Sequence, residues 1–168
     1  DDKNVRAVVI AANGPAYSSG HNLKELTARR SDADKGRAYF AHMMKSCSDM
    51  MQTIVRLPKP VVAAVQGVAT AAGCQMVATC DLAVASDQAT FGTPGIDIGL
   101  FCSTPMVALT RNVPRKHAMH MLLTGDHIPA QRALELGLVN SVVPAGSERE
   151  AAIALADRIA VKSAYTLK

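Results

Sequence analysis

From Pro60 to Thr110 the chain carries three charged side chains, Asp81, Asp87 and Asp97, and every other residue is apolar, small or neutral polar. A stretch with so little charge has to be buried, and the solvated flanks have to cover it. It holds a formal charge of −3 in a chain of net +4, so the basic excess lies entirely in the flanks. Val61 to Cys80 is uncharged and long enough to cross a bilayer. It is built of Ala, Val and Gly with Gln66, Thr70, Gln75 and Thr79 and contains no Leu, Ile or Phe, so core strands are the better reading and no membrane span is expected.

The 168 residues, 49% hydrophobic and 4% aromatic, exclude a disordered tail, a collagen-like repeat and a disulfide-dense mini-protein. Cys47, Cys74, Cys80 and Cys102 form no CxxC pair, which points to reduced thiols in the cytoplasm or, in a eukaryote, the mitochondrial matrix. The basic residues are spread over helical stretches without aromatic interleaving, a pattern suited to a polyanionic small ligand and not to nucleic acid.

Along the chain, strands and helices alternate. Val5 to Ala12 reads as a strand buried on both faces, followed by a loop from Asn13 to Gly20 and a helix beginning at Leu23. Phe40, Met43, Met44, Cys47, Met50, Met51, Ile54 and Leu57 recur on one helical face, which reads as core packing. Pro58-Lys59-Pro60 ends that helix, Val61–Val65 reads as a buried strand, and Ala71–Cys80 as a helix just past a turn at Gly67. A strand is expected over Asp81–Ser86, helices over Arg115–Leu123 and Pro129–Leu136, and a last strand over Leu138–Val143. Ser147 with Glu150 has the pattern of a capping box ahead of a helix over Ala151–Lys162. The fold class is therefore α/β, and no linker divides the chain.

Most catalytic signatures are missing: there is no GxSxG elbow and no P-loop, and Gly67 to Gly73 has the wrong spacing for a dinucleotide fingerprint. His117 and His120 lie three apart on a helix, but no further ligands stand near them and no metal is expected. Two places stand out physically. One is the helix opening at Ala71-Ala72-Gly73, where unpaired N–H groups and small side chains let a ligand oxygen approach. The other is the loop Ser18-Ser19-Gly20-His21-Asn22, which turns sharply before its helix. Two backbone donors aimed at one oxygen make an oxyanion hole, each worth ~3–4 kcal/mol in the transition state.

Ala16-Tyr-Ser-Ser-Gly-His-Asn-Leu-Lys-Glu-Leu26 resembles the loop F-(S/A)-(A/S)-G-x-D-L-K-E of a known family. Pro60-Val-Val-Ala-Ala-Val-Gln-Gly-Val-Ala-Thr-Ala-Ala-Gly-Cys-Gln75 resembles its P-x-I-A-A-V-x-G-x-A-x-G-G-G-C-E segment. Cys80–Ser86, Phe91–Pro94, Leu123–Gly125 and Ala133–Val139 follow in the same order and spacing. The family is the crotonase, or enoyl-CoA hydratase/isomerase, superfamily; Gly20-His21 and Leu100–Pro105 are similar to one branch of it.

The resemblance implies a crotonase-like spiral of ββα units over residues 1–144, with N-terminal strands absent. Residues 145–168 would begin a C-terminal helical, oligomer-forming region. It implies an acyl-CoA thioester as substrate, no resident cofactor, and a homotrimer or dimer of trimers. The backbone N–H groups of His21 and Ala72 would hold the thioester carbonyl. Ser19, Asn22, Leu23 and Lys24 would meet CoA, and Pro94, Leu100, Phe101, Cys102 and Ser103 the acyl group. The two water-activating glutamates of a hydratase are replaced by Gln75 and Gly95, and an amide cannot take a proton from water. Each lost acid–base group costs ~10²–10⁴ in rate, so hydration is expected to be weak or absent. Ser103 also stands where the dienoyl-CoA isomerase branch has Asp. Ala71-Ala72 replace a glycine pair, which should be tolerated because the donors are backbone groups. Asp97, alone in its apolar stretch, has two readings: a hydrogen-bonded turn residue, the commoner role of such an acid, and the candidate carboxylate for proton transfer, its burial expected to raise its pKa. The competing expectation is a non-catalytic CoA-thioester binder or assembly partner.

Overall fold

The computed structural model describes Asp2 and residues 4–167; Asp1 and Lys3 of the polar start, and Lys168 at the end of the expected C-terminal region, lie outside the described residues. The chain divides into two compact units, Asp1–Gly20 with Pro58–Lys168, and His21–Leu57.

The larger unit is built on two four-stranded sheets. The first holds β1 (Val8–Ala11), β3 (Val61–Val65), β5 (Leu82–Ser86) and β8 (Ser141–Val143) in that order, all parallel. The second holds β2 (Ala16–Ser18), β4 (Val68–Thr70), β6 (Thr90–Gly92) and the antiparallel β7 (Ile128–Pro129). From β1 to β6 successive strands therefore alternate between the sheets, and β3, β4 and α3 (Ala72–Thr79) make one complete ββα turn of the expected spiral. After β6 come a 3₁₀ turn (Pro94–Ile98), then α4 (Ser103–Asn112), α5 (Arg115–Thr124), α6 (Ala130–Glu135) and α7 (Glu148–Ala160).

Every residue of β3 is buried, as its unbroken apolar run requires of a strand covered on both faces. Val62, Ala64 and Val84 meet Ala152 and Ala156 of α7, with Val9, Leu155 and Ile159 at the margin. The Asp81 carboxylate accepts the Val61 N–H at 2.7 Å, so it orders the start of the neighbouring strand. The Asn140 side chain accepts the Ala83 N–H at 2.8 Å and extends the β5–β8 pairing.

Three expectations change. The first strand is shorter than Val5–Ala12 and only half-buried, because it forms an edge of its sheet. The loop from Asn13 to Gly20 contains β2. The capping box is not made: Ser147 already has helical dihedrals and its side chain caps nothing. Instead the buried Glu148 carboxylate accepts the Gly146 N–H at 2.8 Å.

The smaller unit contains α1 (Leu23–Arg29) and α2 (Arg37–Arg56). Asn22 caps α1 by accepting from the Lys24 and Glu25 N–H groups. Asp34 accepts from Gly36 and Ala38 at the start of α2, and these backbone bonds hold its carboxyl below the usual carboxylate range. Arg29 lies 4.8 Å from the centre of the Tyr39 ring, and the Tyr39 hydroxyl donates to Glu25. The stripe of α2 read as core packing is only partly so: Met51 is buried, Phe40, Met43, Cys47, Ile54 and Leu57 are half-buried, and Met44 and Met50 are exposed.

Candidate active site

Two chain segments meet at the N-terminus of α3. A Cβ built on Gly73 would lie 2.2 Å from the Ser18 carbonyl oxygen, so only glycine lets the first turn of the helix sit against β2. Gly20, at φ +84, is less crowded but still tight: a Cβ there would meet the Ala71 Cβ at 3.0 Å and the Ala72 nitrogen at 3.3 Å. The turn that the Ser-Ser-Gly sequence signals thus ends directly over the helix opening. As the first residue of α3, Ala72 has an N–H with no intrahelical acceptor, at the positive end of the helix dipole.

Ala71 carries the turn at φ 51, ψ −118, outside the regions an L-residue favours. Its N–H donates to the Gly92 carbonyl at 2.9 Å, and its own carbonyl accepts the Gln75 N–H at 3.0 Å. The expected tolerance of Ala71-Ala72 is therefore incomplete, because Ala71 occupies a glycine-like conformation.

Gln75 stands one turn into α3, and its side-chain oxygen is buried without a hydrogen-bond partner. Gly95 lies in the 3₁₀ turn, where its carbonyl accepts the Leu100 N–H at 2.8 Å. A Cβ on Gly95 would fall 2.5 Å from the Leu100 carbonyl oxygen and 2.7 Å from the Cys102 sulfur. A side chain at position 95 would thus collide with its neighbours.

Cys74, beneath the helix opening, is fully buried. Burial, and secondarily the neighbouring Cys102, push its thiol up to about 12. Burial also raises the Cys80 thiol to about 12, with Asp81 adding to it, and the buried Tyr17 phenol is pushed upward by desolvation and by Cys80. Cys102 caps α4 and Ser103 is its first residue. Leu100 and Phe101 are exposed together with Ile96 and Ile98, an apolar run on one side of the Gly95 turn.

The structure changes the surroundings inferred for Asp97. The residue is exposed, not buried, as it lies in the 3₁₀ turn Pro94–Ile98, none of whose residues is buried. Its carboxylate rests on Gly125, where a Cβ would approach Oδ2 to 2.8 Å. Ser19 is exposed. His21, Asn22, Leu23 and Lys24 belong to the smaller unit, where Asn22 is engaged as the helix cap and Leu23 and Lys24 are exposed.

His127 gave no signal in the sequence. Its Nε2 lies 3.2 Å from the Thr70 hydroxyl, which in turn donates to the Gly92 carbonyl at 3.3 Å. His117 Nδ1 lies 3.5 Å from Arg132. Among the described residues no group of three or more His, Cys, Asp or Glu side chains is arranged to hold a metal ion, and no helix is long and apolar enough to cross a membrane.

The family described as enoyl-CoA hydratase/isomerase matches residues 1–168. The chain is 51% identical over 160 residues to human "Enoyl-CoA hydratase domain-containing protein 3, mitochondrial", covering 95% of this chain and 51% of that protein. It is 35% identical over 168 residues to a "Putative enoyl-CoA hydratase" of Thermus thermophilus, covering 99% of this chain and 65% of the relative. The crystal structure of human enoyl coenzyme A hydratase domain-containing protein 3 superimposes with a TM-score of 0.89 at 50% identity, over 99% of this chain and 64% of that one. The chain thus spans about half the length of the vertebrate relatives it matches. The spiral of ββα turns, the glycine-dependent opening of α3 and these matches lead to one conclusion: the chain belongs to the enoyl-CoA hydratase/isomerase family.

Proposed function

We propose that this protein binds an acyl-CoA thioester, polarises its carbonyl at the N-terminus of α3, and has lost most of the hydration chemistry of its family. The Ala72 N–H supplies the donor described here. The His21 N–H remains the second donor implied by the family resemblance. Charge that develops on the thioester oxygen as the acyl group gains enolate character is stabilised by such preorganised dipoles. The exposed apolar run from Ile96 to Phe101 suits the acyl group, and Asp97 is the carboxylate we assign to proton transfer. The names of the vertebrate relatives favour the mitochondrial alternative for its location.

The observation that carries the loss of hydration is the closed space at Gly95. Water addition needs a base to take a proton from water and an acid to deliver one to carbon. Gln75 can orient water but not deprotonate it, and no side chain can extend from position 95 without displacing the Leu100 carbonyl. A saturating 2-enoyl-CoA assay tests this: a rate at least ~10²-fold below that of a two-glutamate hydratase is expected, and a normal rate refutes it.

The exposure of Asp97 favours a second reading, a non-catalytic thioester binder. Incubation with enoyl, dienoyl and branched acyl-CoAs separates the two. Turnover that Asp97→Asn abolishes supports the enzyme, whereas binding without turnover supports the binder.

A further inference from the structure

We propose that His127 is a positioning residue for the α3 donor, holding the strained Ala71 turn from the far side of β6. The inference rests on the thioester reading above for its consequence, but its geometry stands in the ligand-free protein. His127 immediately precedes β7, and its imidazole folds across β6 to reach β4. A Cβ on Gly92 would lie 2.7–2.9 Å from the ring atoms, so the bare backbone of Gly92 is the seat on which the imidazole rests. The Thr70 hydroxyl donates to the Gly92 carbonyl, which leaves its oxygen to accept from His127 Nε2. The same Gly92 carbonyl receives the Ala71 N–H. One carbonyl therefore anchors both Thr70 and Ala71, and His127 locks the side chain of the first.

A lock is needed because residue 71 is alanine. Its dihedrals of 51° and −118° cost an L-residue energy that surrounding contacts must hold in place. The orientation of the Ala71–Ala72 peptide sets the direction of the Ala72 N–H, so relaxation at Ala71 turns the donor away from the oxygen it serves. A small error in aim matters, since oxyanion stabilisation depends on donors fixed before the charge forms. Glycine at position 71 would adopt the same dihedrals without strain and would make His127 dispensable.

The test uses the whole chain and 4-(dimethylamino)cinnamoyl-CoA, whose absorption moves to the red when its carbonyl is polarised. His127→Phe is expected to lose at least half of the red shift seen with the parent protein while the Kd for the probe stays within about threefold. Thr70→Val should do the same, and His127→Gln, which keeps an N–H donor, should restore the shift. In an Ala71→Gly background His127→Phe should have no effect. An unchanged red shift in both His127→Phe and Thr70→Val, or an equal loss in the Ala71→Gly background, overturns the proposal. The Ala72 amide resonance of the ligand-free protein reads the same turn without a thioester. If it moves in His127→Phe and Thr70→Val although the parent protein fails to bind or polarise the probe, the thioester reading falls and the positioning role stands. If it does not move, the positioning role falls.

Discussion

Two glycine-dependent places in the larger unit have opposite outcomes. At the opening of α3, Gly20 and Gly73 let backbone come close to backbone, beside an Ala72 N–H that has no intrahelical acceptor. At the 3₁₀ turn, Gly95 also lets backbone come close, but there the Leu100 carbonyl and the Cys102 sulfur have taken the space. Absence of a side chain lets two segments meet at one place, and at the other the space it leaves is already occupied. A side chain introduced at position 95 would therefore have to displace its neighbours.

The comparison predicts a graded set of effects. Gly73→Ala meets backbone, which cannot step aside, and should lose about 3 kcal/mol or more; a melting-temperature fall of roughly 6–12 °C is the expected reading, and an unshifted transition breaks the contrast. Next in size is pH. The Cys74 thiol, raised to about 12 in the folded chain, ionises near 8.5 once unfolded. Its contribution is therefore complete below about pH 8.5 and is lost as pH rises toward 12. Denaturant titrations should show stability falling across that window, with a smaller fall in Cys74→Ala. Gly95→Ala, which meets one carbonyl and one movable thiol, should cost about 1–3 kcal/mol. The double change Gln75→Glu with Gly95→Glu should raise hydration by less than about tenfold, because the second carboxylate has no room to reach the substrate; an initial-rate assay showing family-level hydration would mean that the turn opens readily. Gly99→Ala is the smallest. Nothing lies within 4 Å of that Cβ, and only the φ of +76 opposes it, so about 1 kcal/mol is expected from thermal melts.

The sequence made some of this arrangement plain and hid the rest for physical reasons. The run Val61–Val65 after Pro60 is apolar at every position, and it became a strand buried at every position. The helix expected over Arg115–Leu123 is α5, Arg115–Thr124, with Pro114 immediately before it. By contrast β4 and β6 have three residues each, too few to show a period. The helix α4 has no charge before Arg111 and hence no polar face to mark it. Scarcity of charge predicts burial for a stretch as a whole, not for the tip of a turn within it, which is why Asp97 is exposed. The α3 opening was legible from Ser-Ser-Gly and the small residues after Gly67. His127 was not, since no local pattern tells that its ring crosses β6 to reach Thr70.

The Asp81 hydrogen bond also has a kinetic consequence. It closes a loop of 20 residues between the starts of β3 and β5, whereas the bond from Ala83 to Asn140 spans 57. The shorter closure is favoured by roughly 1 kcal/mol of chain entropy. Pairing of β3 with β5 should accordingly precede the docking of β8, and that early loop contains β4 and α3. The donor turn would then be shaped at the first stage of assembly, before most of the chain that surrounds it has found its place.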